Sequence, residues 1–329
     1  MAGLLVGLRA ADGNRYFRAM IRVTFLGTAA ARPTVGRNVS ALSVQREGDL
    51  MLFDCGEGTQ RQMMRYQTGF ALQSIFFTHL HADHFLGVIG LLRTMALQDR
   101  SEPIVLYAPL GGRRILEQAI RLGVDRVGFP VEVEELVPGD RVAREEYDVL
   151  AFPVEHGIAA LGYALVEHER LGRFHPERAR ELGVPEGPLF GRLHKGEPVT
   201  VDGRTISPSD VVGPPRPGRR VVYTGDTAPS ERVVEVAHGC DLLIHECTFG
   251  DEEAERARQT GHATASEAAR VALAADVRRL VLTHISARYA ESPAILEREA
   301  RRIFSETRVA YDGMTLEIPY ADDGDGDGA

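Results

Sequence analysis

The chain has 329 residues, with 38 Lys+Arg against 47 Asp+Glu for a formal net charge of −9, and 44% hydrophobic against 26% charged residues. This composition supplies a large core and excludes a disordered chain, while the negative charge excludes a generally basic nucleic-acid coat, so any polyanion site must be a local patch. Cys55, Cys240 and Cys247 form no CxxC pair, which argues against a disulfide framework and for a reducing, cytoplasmic location, and no stretch approaches the roughly 18 continuous apolar residues of a membrane span.

Residues 1–19 lack both a basic start and a long apolar core, so they read as an N-terminal extension, disordered or lying ahead of a true start at Met20, rather than a signal peptide. From Ile21 the chain alternates short Val-, Leu- and Phe-rich strands with helical patterns, which predicts a layered α/β protein. IRVTFLGT, ALSVQ and LMLFDCG are the first three strands, and the third runs into the helix EGTQRQMMRYQ, whose Gly-rich start exposes backbone N–H groups. QSIFFTH is an apolar strand ending at His79, followed by the mostly apolar helix FLGVIGLLRTMALQ. PIVLYAP and GGRRILEQAIRLG repeat the strand-then-helix pattern, and DVLAFPVEHG ends another strand at His156.

The texture changes near Glu167. Residues 167–200 alternate basic residues, Gly and Pro with few core-sized apolar clusters, the pattern of an inserted arm. Between Arg170 and Lys195 stand five Arg and one Lys against three Glu, with Leu189-Phe190 at the expected tip, an electrostatic hook for a polyanion. Regular patterning returns with RRVVYTGDT, CDLLIHECTF, the helix ATASEAARVALAA and VRRLVLTHIS, and the chain ends in the low-complexity acidic tail 321–329, expected to be disordered.

Chemistry concentrates at the strand ends. His79-Leu80-His81-Ala82-Asp83-His84 places four metal-ligand types in six residues directly after a buried strand. Imidazole suits zinc and its neighbours, and a carboxylate completes or bridges a second ion, as a two-metal site requires. His156, Asp226 and His284 each follow an apolar run, where open α/β sheets place their sites, although His156 or His284 alone would read as a structural histidine. His262, in TGHAT, reads either as a site residue or as one that opens the following helix, and Glu246 as an acidic residue after a strand. Thr28, Gly56, Glu57, Gly58 and Thr59 read as shaping the site, the two glycines equally as serving only their turn.

The H-x-H-x-D-H string at a strand end resembles the signature of the metallo-β-lactamase superfamily. FLGTAAARPTVGRNVSAL, DCGEGTQRQM, HECTF, GHAT, GPLFGRLHKGE and GPPRPGR, in this order between Met20 and about Tyr320, resemble ribonuclease Z, the endonuclease that matures the 3′ end of transfer RNA. The chain departs from that pattern where Cys247 stands for a frequent Ala and where His194-Lys195 is less basic. The resemblance implies a four-layer αβ/βα sandwich over residues 20–320 with a protruding arm, and two divalent ions per chain, zinc or else manganese. One ion would sit on His79, His81 and His156 and the other on Asp83, His84 and His284, with Asp226 bridging. It agrees with Asp83 as general base and with His262 at the scissile phosphate or leaving oxygen with Glu246 orienting it, and the cations expected on precursor tRNA are Arg173, Arg192 and Lys195 in the arm and Arg216, Arg219 and Arg220 around PPRPG. It further implies a homodimer in which one subunit's arm serves the other's site. The rival expectations are a hydrolase of a lactone, sulfate ester or cyclic phosphodiester, and a metal-free RNA-binding homologue, against which all seven ligand positions being filled counts.

Overall fold

A computed structural model describes residues 20–124 and 126–321; the expected extension at 1–19 and all of the acidic tail beyond Ala321 lie outside the described residues. The strands in chain order are β1 (Ile21–Gly27), β2 (Ala41–Arg46), β3 (Asp49–Phe53), β4 (Leu72–Phe76), β5 (Ile104–Pro109), β6 (Val131–Leu136), β7 (Arg141–Ala143) and β8 (Tyr147–Pro153). They continue as β9 (Leu161–Glu167), β10 (Val199–Val201), β11 (Arg204–Ile206), β12 (Arg220–Tyr223), β13 (Leu242–Glu246), β14 (Leu280–Thr283), β15 (Thr307–Val309) and β16 (Thr315–Ile318). Two seven-stranded sheets run β16-β1-β2-β3-β4-β5-β6 and β15-β14-β13-β12-β9-β8-β7. Both are mixed: β3 to β6 and β12 to β15 pair in parallel, and the remaining neighbours are antiparallel.

Strand periodicity builds the layers. Met51 and Phe53 of β3 face the second sheet while Leu50 and Leu52 face the helices, and Val281 of β14 faces inward while Leu280 and Leu282 face out. Strands buried on both faces read as continuous apolar runs, which is why β4 and β14 stood out in the sequence. The space between the sheets is filled by aromatics, with Phe76 stacked between Phe53 and Tyr107 at 5.0 and 4.7 Å and edged by Tyr163. On the outside of the second sheet the helix Ala265–Ala274 packs closely through Ala265, Ala268, Ala269 and Ala272, small residues that let backbone approach backbone. Helix, sheet, sheet, helix is the expected four-layer order.

The arm is larger and better built than the sequence suggested. Helices Pro176–Glu181 and Pro188–His194 and the β10-β11 hairpin enclose a core of Ala179, Val184, Leu193, Val199, Ile206 and Val211, so the insertion runs to Pro217 and not to about 200. Leu189 and Phe190 are not a bare tip: both rest on this core, with the Phe190 ring 4.9 Å from Phe174. Ile206 and Val211, a third of this small core, lie past residue 200. The cationic excess also shrinks, because residues 168–217 hold eight basic against seven acidic residues. Arg178 pairs with Glu181, Arg180 with Glu177 and Arg192 with Glu197.

Candidate metal centre

The carboxyl ends of β3, β4, β8, β12, β13 and β14 deliver polar residues to one edge of the sandwich. After β4 the chain passes through buried Thr78 and His79, turns at His81 and enters the short helix Ala82–Phe85, which carries Asp83 and His84. This turn sits directly on the loop after β3: Cys55 N–H donates to His84 O at 2.6 Å and Gly87 N–H to Cys55 O at 2.8 Å. Gly56 is required there, since a Cβ would lie 2.3 Å from Asp83 O. His156 follows β8, Asp226 follows β12, and His284 follows β14 with φ 56°, a left-handed conformation that histidine tolerates better than most residues.

Seven side chains converge as two groups. His81 Nδ1 lies 3.0 Å from His79 Nε2 and 3.2 Å from His156 Nε2, with Asp226 Oδ2 3.6 and 3.7 Å from the same two Nε2 atoms. Asp83 Oδ2 lies 3.5 Å from His84 Nε2 and 3.4 Å from His284 Nε2, and those two nitrogens are 3.4 Å apart. Asp226 touches both groups, with Oδ1 3.4 Å from His84 Nε2 and Oδ2 3.3 Å from His284 Nε2.

The opposite nitrogens decide what this cluster is for. His84 Nδ1 donates to Asp54 Oδ2 at 2.8 Å and His156 Nδ1 to Gly261 O at 3.2 Å, while His79 Nδ1 meets Thr78 Oγ1 at 3.1 Å and His284 Nδ1 meets Thr248 Oγ1 at 2.8 Å. With the proton on Nδ1, each Nε2 lone pair points into the cluster, the arrangement a shared metal cation would use. Asp226 Oδ1, buried and without a hydrogen-bond partner, is short of a cation in the same way. Donors held tetrahedrally at about 2.0–2.1 Å lie about 3.4 Å from one another, so the spacings suit a first-row divalent ion in each group.

His262 and Glu246 form a second unit beside the cluster. His262 Nδ1 is 2.6 Å from Glu246 Oε1, and its ring lies 5.1 and 5.4 Å from those of His156 and His284. Glu246 is fully buried and also accepts from Thr227 N, Thr248 N and Thr248 Oγ1. Burial pushes the His262 pKa down, but the Glu246 charge and hydrogen bond overcome this and raise it to about 9. The helix-opening role falls to Thr264, which forms a capping box with Glu267, leaving the His262 side chain to the site.

Among the residues expected on RNA, Arg173, Arg192 and Lys195 are exposed, Arg192 paired with Glu197 at 2.9 Å, and Arg216 is half-buried with Nε on Leu171 O. Arg219 is a correction: its side chain is 2% exposed and bound to Glu167, itself 2% exposed, so it cannot meet a phosphate. Thr28 and Thr59 give their hydroxyls to Asp312 and Gly56 O, and so shape loops without facing the donors. Sequence reasoning missed Asp54, which accepts from His84, Thr78 N–H, Thr78 Oγ1 and Tyr223 Oη. The rule that found His156, a polar residue after an apolar run, would have found Asp54 after β3. It also missed Ala31, at φ 59°, whose N–H donates to Asp83 Oδ2 at 2.8 Å.

A family model described as the beta-lactamase superfamily domain matches residues 50–172 and 194–285, skipping the first helices of the arm. The ribonuclease Z of Myxococcus xanthus is 56% identical over 306 residues, 92% of this chain and 100% of that protein. The ribonuclease Z of Gemmatimonas aurantiaca is 58% identical over 304 residues, 92% and 97% of the two chains. The solved structure of the short form of human tRNase Z superposes with a TM-score of 0.67 at 31% identity, covering 91% of this chain and 99% of the human one. Among the described residues no helix is long and apolar enough to cross a membrane.

Proposed function

This chain belongs to the ribonuclease Z family of the metallo-β-lactamase superfamily, and from that premise we propose how its residues divide the work of a metal-dependent endoribonuclease that processes the 3′ end of transfer RNA. Cleavage falls 3′ of the discriminator base and leaves a 3′ hydroxyl on the tRNA. His79, His81 and His156 would hold one ion and Asp83, His84 and His284 the other, with Asp226, whose carboxylate lies beside both groups, shared between them. When bound, the two ions, zinc in this reading with manganese as the alternative, supply Lewis acidity toward the phosphodiester and activate water for its attack.

The chain's own groups handle the protons. Asp83, steadied by the Ala31 N–H, takes the proton of the attacking water. His262 contacts the scissile phosphate or gives its Nε2 proton to the leaving oxygen, while Glu246 fixes Nδ1. Arg173, Arg192 and Lys195 on the arm and Arg216 at its root position the tRNA through phosphates, and a homodimer lets one arm serve the partner's site. Three fully buried free cysteines support a reducing, cytoplasmic location.

The observation that carries this reading is a cluster of inward-facing lone pairs beside a charged His262–Glu246 unit, in a chain alignable over its length with ribonucleases Z. A small-molecule hydrolase would share the donors but has no use for a folded, surface-charged arm. The deciding experiment incubates the protein and zinc or manganese with a 3′-extended precursor tRNA and maps the ends. A single cut after the discriminator supports the reading; no cut, or scattered cuts, overturns it.

A further inference from the structure

The arm leaves the catalytic body at Glu167, the last residue of β9, and returns at Arg219, just before β12, and these two residues grip each other. Glu167 Oε2 accepts Arg219 N and Nε at 3.0 and 2.8 Å, Oε1 accepts Arg219 Nη2 at 2.7 Å and Arg46 Nε at 2.8 Å, and Glu167 N–H donates to Arg219 O at 3.0 Å. Just beyond, Arg170 and Arg216 exchange backbone hydrogen bonds at 2.8 and 3.0 Å. Gly172 lets the two stems touch, since a Cβ there would lie 1.8 Å from Gly213 O. The neck, whose two stems join β9 and β12 of the second sheet, is then tied to the first sheet by Arg46 of β2 and by Arg219 Nη1 on Ile318 O of β16 at 2.8 Å.

Tyr320 completes this neck. The Arg170 guanidinium carbon is 3.4 Å from its ring centre and that of Arg219 is 3.9 Å away. Two guanidinium groups so close to one centre cannot share a face, so the ring is sandwiched between a cation of the arm's stem and a cation of the body. We propose that Tyr320 is a positioning residue for the tRNA reaction: by joining Arg170 to Arg219 it fixes the direction in which the arm projects, and so the distance between the arm's phosphate contacts and the metal centre. The inference rests on the arm reading given above.

The test compares wild type, Tyr320→Ala and Tyr320→Phe on a precursor tRNA and on bis(p-nitrophenyl) phosphate, with thermal melts of each. The Ala variant should raise KM for the precursor about fivefold to tenfold, the scale of one lost cation–π contact, with kcat and small-ester hydrolysis within about twofold of wild type. The Phe variant, which keeps the sandwich and gives up only the 3.3 Å hydrogen bond from Arg219 Nη2 to Tyr320 Oη, should restore most of the lost KM. Arg170→Gln combined with Tyr320→Ala should cost no more than the worse single variant, whereas a direct Arg170–RNA contact would make the losses multiply. An unchanged KM in Tyr320→Ala, a Phe variant as impaired as Ala, multiplying losses, or an equal loss on both substrates would overturn the proposal while leaving precursor cleavage by the wild type intact. Failure of the wild type to cut the precursor would overturn the arm reading and this inference together.

Discussion

Asp54 Oδ2 lies 2.8 Å from His84 Nδ1, and both side chains are fully buried. The carboxylate orients the ring and makes its Nε2 a better donor to a cation, as the partners of metal-bound histidines generally do. Asp54→Asn keeps the shape and removes the charge. It should weaken metal retention about tenfold to hundredfold, read by competition with a chromogenic chelator. Metal affinity equal to wild type would show that Asp54 serves only the loop.

The His262–Glu246 pair makes a pH prediction for the chelator-treated protein. The His262 pKa is raised from 6.5 to about 9, so its contribution to stability is complete below pH 6.5 and is lost as the pH climbs through about 9. The melting temperature of the wild type should therefore fall between pH 6.5 and 9.5. His262→Gln, which leaves Glu246 buried without its cation, should be less stable by about 2–3 kcal/mol at pH 6 and flatter across the window. Parallel profiles for the two proteins would remove His262 from this role.

Arg219 and Arg173 should part company. Arg219→Leu leaves the buried Glu167 carboxylate with Arg46 as its remaining cationic partner and should cost about 3 kcal/mol of stability. Arg173→Ala, at an exposed position, should leave the denaturation midpoint unchanged while weakening precursor binding and lowering the salt slope by about one. Titration of binding against salt, beside urea melts, distinguishes the two behaviours.

Replacing residues 169–216 with a short Gly/Ser linker, which spares Glu167 and Arg219, should abolish precursor cleavage and most of the salt dependence of RNA binding. Hydrolysis of bis(p-nitrophenyl) phosphate should survive, because the metal centre and its supporting groups all lie outside the arm. If the small ester were affected as much as the precursor, the arm would be a lid and not a tRNA clamp.

The native thiols should be silent. Burial pushes Cys240 up to about 12 and raises Cys55 and Cys247 as well, so at pH 8 none should react quickly with an aromatic disulfide reagent before denaturant is added. A fast-reacting equivalent in the folded protein would contradict the burial of these three side chains.

The sequence by itself determined the features that local chemistry controls. Apolar runs too continuous for a half-exposed strand marked β4, β8 and β14, and the polar residue after each run marked His79, His156 and His284. Histidine spacing in His79, His81 and His84 was legible because one turn and one short helix bring all three to the same edge. What tertiary structure decided was the choice of long-range partner. Arg219 reads as one more cation of a basic stretch until Glu167, 52 residues away, takes its guanidinium into the core. Asp54 gains its role only when the loop after β3 is laid against His84, 30 residues on. The arm closes its core with residues that a local reading assigns elsewhere, since Ile206 and Val211 fold back on Ala179 and Val184. Side-chain periodicity and turn chemistry act within a few residues, whereas the free energy that buries a charge or fills a small core depends on which distant group arrives to meet it.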